Sequence, residues 1–378
     1  MSQKLQISIL DSPLTLEPGI WHSFCQKNPF AGPEFLQTLH SSDCATPASG
    51  WYAQYLYLQD ENRHPLGLMP LYLKNHSRGE FVFDMAWANA FERYGLPYYP
   101  KLVCSVPFTP VTGPRLLAHD PLHKRILAEQ AIEVAKKMGV SSLHILFPNQ
   151  EDLPILRECG YMIREDVQFH WQNRGYDSFD DFMGQLSYDK RKKIRQDRKK
   201  VLAAGVCFRH LRGNEIDSET LDFFISCYNN TYYERGREPY LNKAFFTDYL
   251  QKCPDNFLLI VALKNDKPIA CALNILGNDS VYGRYWGAHE FIPGLHFETC
   301  YMQGIEFCIT NKFRYFEGGA QGEHKLARGL MPVTTYSAHW IARKEFANAI
   351  EAFLDHESRQ VGKYVDMLVT HSPFKQTG

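Results

Sequence analysis

The sequence predicts a mixed α/β fold built from two copies of one unit. Two observations predict it. The chain has 378 residues, which is too long for one ordinary domain, and the order of its predicted elements repeats. In each half, apolar strands come before a helix and one more short strand. We therefore predict domains at residues 1–175 and 176–378, each an antiparallel-dominated mixed sheet flanked by helices.

The first copy begins with three consecutive apolar segments, residues 51–60, 65–75 and 80–88, which we interpret as strands. A helix is predicted over Leu122–Lys137 because its apolar residues recur at helical spacing. The short apolar segment at residues 141–147 is predicted to be the strand that follows this helix.

The second copy shows the same order of elements. Its strands are predicted at residues 256–266, 267–279 and 280–288. Apolar residues over 297–308 follow the i, i+3, i+4, i+7 spacing of a buried helical face. The strand after this helix is predicted at residues 313–319.

The two copies are joined by a polar break and followed by a long helix. The break lies near Asn173–Ser178, and Phe179–Ala204 is predicted to be helical. Apolar residues over 346–368 predict a long or broken amphipathic helix at the C-terminal end of the chain.

Composition excludes few functions. Hydrophobic residues make up 44% and aromatic residues 14% of the chain, and the formal net charge is -1. Global charge therefore favours neither a nucleic acid nor a membrane as partner, although a local patch could. No apolar leader opens the sequence, and no segment approaches the ~20 apolar residues of a membrane span. The ten cysteines form no C-x-x-C pair. We expect a cytoplasmic protein with reduced thiols and no metal site.

The glycine-rich turn at residues 316–340 is the main candidate site. Glycine lets the backbone approach a ligand closely, and the surrounding side chains can handle protons or hold anions. Glu323, His324 and Lys325 are the candidate catalytic residues. The candidate substrate-binding residues of the turn are Glu317, Gln321 and Arg328. The alternative is a surface turn with ordinary salt bridges.

The strand that leaves this turn adds two polar candidates. Strand alternation places Val333, Thr335, Ser337, His339 and Ile341 on one face. His339 is a further candidate catalytic residue, and Ser337 is a candidate substrate contact. The alternative is a core histidine that is hydrogen-bonded by the serine hydroxyl.

A basic segment precedes the second set of strands. Residues 189–200 hold eight Lys or Arg against two Asp. On a helix, this charge suits a polyanion such as RNA or a nucleotide-linked substrate, and the alternative is a solvated helix. The candidate binding residues are Lys190, Arg191, Arg195 and Arg198.

Residues Tyr228–Tyr240 mix aromatic side chains with arginines. They could stack on a base or line a cleft, and an ordinary amphipathic helix end is the alternative. Tyr232 from this segment and Arg284 from a predicted strand complete the candidate substrate contacts. The sequence contains no HExxH, GxSxG, Walker A or strand-linked GxGxxG motif.

The repeated strand–helix–strand unit resembles the GNAT (acetyltransferase-like) fold. Members of that fold that use acetyl-CoA usually carry a Q/R-x-x-G-x-G/A loop after the central strand. The matching segment here, residues 286–299, reads WGAHEFIPGLHFET and lacks that loop.

Two such domains with a basic helix resemble the Fem family of peptidoglycan aminoacyltransferases. The resemblance covers nearly the whole chain and is strongest with the FemAB-like branch. The segments that carry it are residues 28–36, 80–95, 98–117, 186–206, 295–307 and 316–329. It implies that an acyl group is transferred from aminoacyl-tRNA to an amine of a peptidoglycan precursor or a related substrate.

The resemblance requires no protein nucleophile, because the attacking amine belongs to the acceptor. Catalysis would depend on positioning, amine deprotonation and stabilisation of the oxyanion. Lys325 or Arg328 would hold the oxyanion or a carboxylate, and Glu323 or His339 would take the proton.

The partners that follow from the resemblance are an acyl donor and an amino-containing small molecule or peptide. The donor is either aminoacyl-tRNA or acyl-CoA, and we expect no permanently bound cofactor, no DNA partner and no membrane span. Two other functions remain open. One is acetyl-CoA-dependent N-acetylation, and the other is non-catalytic recognition of a cell-wall precursor or peptidoglycan.

Overall fold

A computed structural model describes residues 5–25, 28–319 and 322–375 of the chain. Its strands are β1 (Gln6–Leu10), β2 (Tyr52–Ala53), β3 (Tyr55–Gln59), β4 (Pro65–Met69), β5 (Leu71–Lys74), β6 (Lys101–Cys104), β7 (Ser142–Leu146), β8 (Met162–Gln172), β9 (Val206–Arg212), β10 (Phe257–Lys264), β11 (Lys267–Leu276), β12 (Ser280–Ala288), β13 (Tyr315–Glu317) and β14 (Met331–Ile341).

The α-helices lie between these strands, except for the last. They are α1 (Pro18–His22), α2 (Pro33–Ser41), α3 (Met85–Arg93), α4 (Pro121–Met138), α5 (Leu153–Glu158), α6 (Phe179–Gln185), α7 (Tyr188–Ala203), α8 (Ser218–Tyr233), α9 (Lys243–Lys252), α10 (Leu295–Phe297), α11 (Gln303–Thr310) and α12 (Lys344–Thr370). A π-helical turn, Glu298–Met302, joins α10 to α11, and a 3₁₀ helix occupies Glu323–Arg328.

Residue contacts divide the chain into two compact units. The first contains Met1–Asp166 and Thr334–Lys363, and the second contains Val167–Val333 and Tyr364–Gly378. The units thus divide the chain at positions other than the sequence-based boundary at residue 175.

The first unit contains a small antiparallel sheet, β1–β3–β4, and a mixed sheet. In the mixed sheet, β2, β5 and β6 are antiparallel, β7 is parallel to β6, and β14 is antiparallel to β7. Helix α4 connects β6 to β7. It begins at the capping side chain of Asp120 and ends at Gly139, which has a positive φ. Leu127 and Ala131 of its buried face pack into the core against Leu102 and Ile145.

The second unit repeats this arrangement. Strands β9 to β12 form an antiparallel meander, β13 is parallel to β12, and β8 is antiparallel to β13. The α10–α11 segment connects β12 to β13, and it packs closely because Gly304 faces the Phe316 ring, where a Cβ atom would lie only 2.7 Å away. In both units, the last strand of the series comes from the other half of the chain. β14 completes the first series and β8 completes the second.

Most of the predicted elements are confirmed, and one is wrong. The predicted strand at residues 80–88 is instead a loop followed by α3. The apolar residues of this segment predicted a strand, but Phe83 and Met85 are 64% and 69% exposed. The buried pair is Trp87 and Phe91, which are spaced by one helical turn and pack against Ile341.

Within the described ranges, no helix combines the length and the apolar character needed to cross a membrane.

Candidate active site

The parallel strands β12 and β13 of the second unit pair only where they begin. β13 ends at Glu317, whereas β12 continues to Ala288. A cavity of about 160 Å³ lies beside the unpaired part of β12. Its lining comes from two strands, the helix after β12 and the loop after β13: Ala272, Leu273, Asn274, Gly283, Arg284, Tyr285, Trp286, His296, Cys300, Tyr301, Gly318 and Gly319.

A β-bulge shapes one wall of this cavity. Asn274 pairs with Gly283, and the residue before Asn274 pairs with Tyr285, so Arg284 is an additional residue on β12. A bulge changes the direction of side chains that would otherwise alternate between the faces of a sheet. Consecutive residues of β12 therefore line the same cavity.

The opposite wall is formed by an irregular helix. The π-helical turn Glu298–Met302 brings Cys300 and Tyr301 to the cavity, next to His296 of α10. Single π-helical turns inside helices are frequent at functional sites. Burial raises the pKa of the Cys300 thiol, so this sulfur is protonated at neutral pH and is a poor nucleophile.

Glu317 carries the most unusual carboxyl group of this region. It is the last residue of β13 and directly precedes Gly318 of the cavity. Burial raises the pKa of its carboxyl to about 8, although the charge of Arg284 acts in the opposite direction. Nε2 of His170 lies 3.8 Å from Oε2 of Glu317, and burial lowers the pKa of His170 to about 4, so this ring is neutral near pH 7. A carboxyl with this pKa can accept a proton near neutral pH.

Lys325 holds the glycine-rich loop in place. It lies in the 3₁₀ helix and is 3% exposed, and its Nζ donates a hydrogen bond of 2.7 Å to the carbonyl oxygen of Gly319. Burial lowers the pKa of its ammonium group to about 8. Lys325 thus fixes the backbone that forms one side of the cavity.

His324 and Arg328 lie on a group of aromatic rings. The Arg328 guanidinium carbon is 3.4 Å from the centre of the Phe297 ring, and its Nη1 donates to the carbonyl oxygen of His324. The His324 ring is exposed and contacts Phe297 and Tyr301. Burial lowers the pKa of both His324 and Arg328.

Two further residues of the turn, Glu323 and Gln321, were predicted to belong to the site. Glu323 is exposed and accepts a hydrogen bond from the Tyr364 hydroxyl. Gln321, the other predicted contact of the turn, lies outside the described residues.

Tyr232 and Arg284 are brought next to the cavity by the packing of α8 on β12. The two elements approach closely at Gly287, where a Cβ atom would lie 1.9 Å from the carbonyl oxygen of Cys227. The Tyr232 ring contacts that of Tyr228 at a tilt of 59°, and the Tyr228 ring contacts Tyr285 of the cavity. Burial raises the pKa of the Tyr232 hydroxyl, and the charge of Arg284 partly offsets this effect.

The basic helix α7 belongs to the same unit and uses its cations in two ways. Arg198 is tied internally, with Nε 3.1 Å from Oε1 of Glu298 and Nη2 2.8 Å from Oε2 of Glu306. Arg191 and Arg195 line a surface groove of about 250 Å³, and Nη1 of Arg191 also donates to the carbonyl oxygens of Gly184 and Leu186. The full lining of this groove is Tyr188, Arg191, Lys192, Arg195, Gln196 and Lys199. Lys190, the fourth predicted contact, is half-buried.

Ser337 and His339 do not join these residues, because both belong to the first unit. The Ser337 hydroxyl lies 2.8 Å from Nε2 of His339, and Nδ1 of His339 lies 2.7 Å from Nδ1 of His144. The chain of polar groups continues from His144 through the Tyr98 hydroxyl to the Asp84 carboxylate. Asp84 is then paired with Lys101, and Lys101 with Glu80. We call this set the first-unit polar chain.

The structure also adds residues that sequence reasoning missed. Asn274, His296, Cys300 and Tyr301 line the cavity. Asn274 had a recognisable signal, because it is an amide within an otherwise apolar strand. The others had none, since the short helix α10 and the π-helical turn that present them leave no mark in the spacing of apolar residues.

Comparison with known proteins places the whole chain in one family. The sequence profile of the FemAB-like family, described as peptidoglycan biosynthesis/recognition, matches residues 14–376. No curated protein matches the chain in sequence.

Solved structures share the fold at low sequence identity. L-PGS from Bacillus licheniformis is 11% identical with a TM-score of 0.56, and the match covers 98% of this chain and 100% of that one. The C-terminal domain of a protein assigned as a lysylphosphatidylglycerol synthetase from Agrobacterium fabrum is 10% identical, with a TM-score of 0.53 and coverages of 89% and 95%. FemX is 12% identical, with a TM-score of 0.49 and coverages of 84% and 93%. The predicted mixed α/β fold, with a similar series of strands and a connecting helix in each of the two units, is confirmed.

Proposed function

The chain belongs to the FemAB-like family of peptidoglycan biosynthesis/recognition proteins, and we propose that it is an acyltransferase that forms an amide on an amino-containing acceptor. The observation that supports this most is the position of Glu317. Glu317 directly precedes Gly318 and Gly319, which line the cavity, and burial raises the pKa of its carboxyl to about 8. An amine must lose a proton when it attacks a carbonyl carbon, and a base with a pKa near the working pH is suited to accept it.

The proposed reaction is a direct transfer. The amine nitrogen attacks the acyl carbon, Glu317 takes the proton, and the tetrahedral intermediate collapses as the bond to the leaving oxygen or sulfur breaks. Lys325 supports this step indirectly by holding the loop at Gly319. An acyl-enzyme on Cys300 is disfavoured, because burial raises the pKa of its thiol and keeps it protonated. We therefore propose the direct route.

We propose aminoacyl-tRNA as the acyl donor. The groove on α7 presents Arg191, Lys192, Arg195 and Lys199 beside the exposed ring of Tyr188. Cations of this density bind the phosphates of a nucleic acid, and an exposed aromatic ring can stack on a base. Arg198 connects the same helix to Glu298, at the start of the π-helical turn that borders the cavity.

We propose an amine of a peptidoglycan precursor peptide as the acceptor. The family description supports this choice. The cavity of about 160 Å³ has room for the reacting groups, and the aromatic side chains of Tyr285, Trp286 and Tyr301 surround it.

The test is a transfer assay with the full chain. The purified protein is incubated with a peptidoglycan precursor peptide and either aminoacyl-tRNA or acetyl-CoA, and the product is identified by its mass. We expect an aminoacylated peptide from the first donor only. A product from acetyl-CoA alone would make the protein an N-acetyltransferase. Peptide binding without any product would make it a recognition module.

A further inference from the structure

The transfer reaction needs a hydrogen-bond donor for the acyl oxygen. As the amine attacks, this oxygen becomes negatively charged, and a donor already in place stabilises it most in a site that excludes water. The sequence suggested Lys325 or Arg328 for this role. Both are held elsewhere, since Lys325 donates to the Gly319 carbonyl and Arg328 lies over the Phe297 ring.

The side-chain amide of Asn274 provides a hydrogen-bond donor that is not engaged by any described residue. It lines the cavity, is 1% exposed, and lies on β11 opposite Gly283. Across the described ranges, its Nδ2 atom has no hydrogen-bond partner. A buried donor without a partner destabilises a protein, and such groups are rare in folded chains.

The surroundings of Asn274 keep this amide uncovered. The residue paired with it is a glycine, and a Cβ atom at Gly283 would lie 3.6 Å from Oδ1 of Asn274 and 3.3 Å from the Glu317 carbonyl oxygen. A larger residue at position 283 would therefore project between the amide and the end of β13. Glycine leaves that space to the cavity.

The neighbouring residues show that the fold does not require an amide at this position. Ala272, Leu273, Ile275 and Leu276 are all buried and apolar. An apolar side chain at position 274 would continue this pattern and would remove the unpaired donor. The amide is thus better explained by a ligand than by packing.

We propose that Asn274 is a catalytic residue whose amide nitrogen donates a hydrogen bond to the carbonyl oxygen of the acyl group. This inference rests on the proposed acyl transfer. When the amine–carbon bond forms, the carbonyl π electrons move to the oxygen that Asn274 binds, and Glu317 takes the amine proton. When the intermediate collapses, the C=O bond forms again, the bond from the acyl carbon to the ribose oxygen breaks, and that oxygen leaves with the proton that Glu317 returns. The ligand class is an acyl ester presented by its carbonyl group.

The test compares turnover with stability in Asn274→Leu and Asn274→Ala. The transfer assay uses aminoacyl-tRNA and the precursor peptide. We expect kcat to fall about 10²–10³-fold, as for other oxyanion donors, while KM changes by less than about threefold. Because Nδ2 has no partner to lose, we expect the urea midpoint of Asn274→Leu to equal or exceed that of the unmodified protein. Asn274→Ala serves as a second variant if the larger side chain does not fit.

The matched control is Asn256→Leu. Asn256 lies outside the cavity, and its Nδ2 donates 3.0 Å to the Leu276 carbonyl oxygen. We expect this variant to lower the urea midpoint and to keep kcat. If the unmodified protein transfers the acyl group and both Asn274 variants keep the same kcat, the proposed role of Asn274 is overturned and the proposed function stands. A midpoint that falls in Asn274→Leu as it does in Asn256→Leu would assign Asn274 to structure. Absence of transfer by the unmodified protein would refute the proposed function and this role with it.

Discussion

The first-unit polar chain and the cavity of the second unit contain similar residue types but differ in how their polar groups are paired. In the first-unit polar chain, every hydrogen-bond donor from Ser337 to Lys101 has a partner. Its buried oxygens without a partner within the described ranges, Oε1 of Glu80 and Oδ1 of Asp84, are acceptors in carboxylates whose other oxygen is paired with Lys101. Beside the cavity, Asn274 has an amide nitrogen with no partner in the described part of the chain, and Glu317 has a carboxyl with a raised pKa. Two features thus distinguish the candidate reactive site from the first-unit polar chain: a buried donor with no partner among the described residues, and a carboxyl pKa of about 8 for Glu317 against about 6 for Glu80.

The largest expected effect is a loss of stability in the first-unit polar chain. Lys101 is fully buried and its Nζ lies 2.7 Å from Oε2 of Glu80. Lys101→Met leaves the carboxylates of Glu80 and Asp84 without their cation. We expect the free energy of unfolding to fall by about 3–5 kcal/mol, as is usual when one partner of a buried pair is removed. Urea denaturation measures this change.

An exposed ion pair is the control for this prediction. Lys193 and Asp197 are 3.1 Å apart, and the Lys193 side chain is 63% exposed. Lys193→Met should change the free energy of unfolding by less than about 1 kcal/mol. If both variants lost the same stability, the first-unit polar chain would not be a structural core.

The second expected effect is a loss of turnover beside the cavity. Glu317→Gln removes the proposed base, and we expect kcat for the transfer to fall about 10²–10⁴-fold. Since the pKa of Glu317 is about 8, kcat of the unmodified protein should rise with pH up to about 8 and then level off. Stopped assays between pH 6 and 9 measure both effects.

Stability provides an independent check on Glu317. Because its folded pKa lies above its unfolded value, the folded state binds the proton more tightly. The contribution of Glu317 to stability is therefore full at low pH and declines as pH rises from about 4.5 to about 8. The stability of the Glu317→Gln variant should not show this decline. An unchanged pH dependence of both kcat and stability would contradict the role of Glu317.

The third expected effect is a loss of stability in acid, opposite in direction to the pH dependence expected from Glu317, and it arises in the first unit. Burial lowers the pKa of His144 and His339 well below the usual value near 6.5. The unfolded chain therefore binds more protons in acid, and stability should fall as pH drops below about 6.5. Each histidine contributes up to about 1.4 kcal/mol per pH unit. His339→Gln should reduce this slope in urea titrations at pH 5 to 7, and an unchanged slope would contradict the effect of burial on this histidine.

The smallest expected effect concerns the groove on α7. Arg195 is exposed and lines the groove. Arg195→Ala should weaken binding of aminoacyl-tRNA a few-fold and reduce the slope of log affinity against log salt by about 0.9. Filter binding at several salt concentrations measures this slope. The exposed Lys267, at the start of β11, is the control. Equal effects of Arg195→Ala and Lys267→Ala would show that α7 is a solvated helix.

The sequence predicted the regular elements well because their apolar spacing is local. The helix over residues 122–137 and the strands from 256 to 288 follow directly from that spacing. The prediction at residues 80–88 was wrong because strand and helix patterns overlap there, and only burial of Trp87 and Phe91 decides between them.

The candidate site was harder to derive from the sequence. The proximity of Ser337 and His339 follows from strand alternation, but their separation into the first unit depends on the pairing of β14 with β7. The cavity depends on a bulge at Arg284 and a π-helical turn, which arise from tertiary packing. Neither feature has a local sequence pattern.

The origin of β14 affects how the chain is made. β14 pairs with β7, and the hydrogen bond between His144 and His339 joins residues 195 positions apart. At roughly 5–20 residues per second, the ribosome needs about 10–40 s to synthesise that interval. During this time the edge of β7 that will receive β14 remains unpaired in the nascent chain, where exposed strand edges favour aggregation. Co-translational folding of the first unit therefore depends on protecting that edge until the last part of the chain emerges.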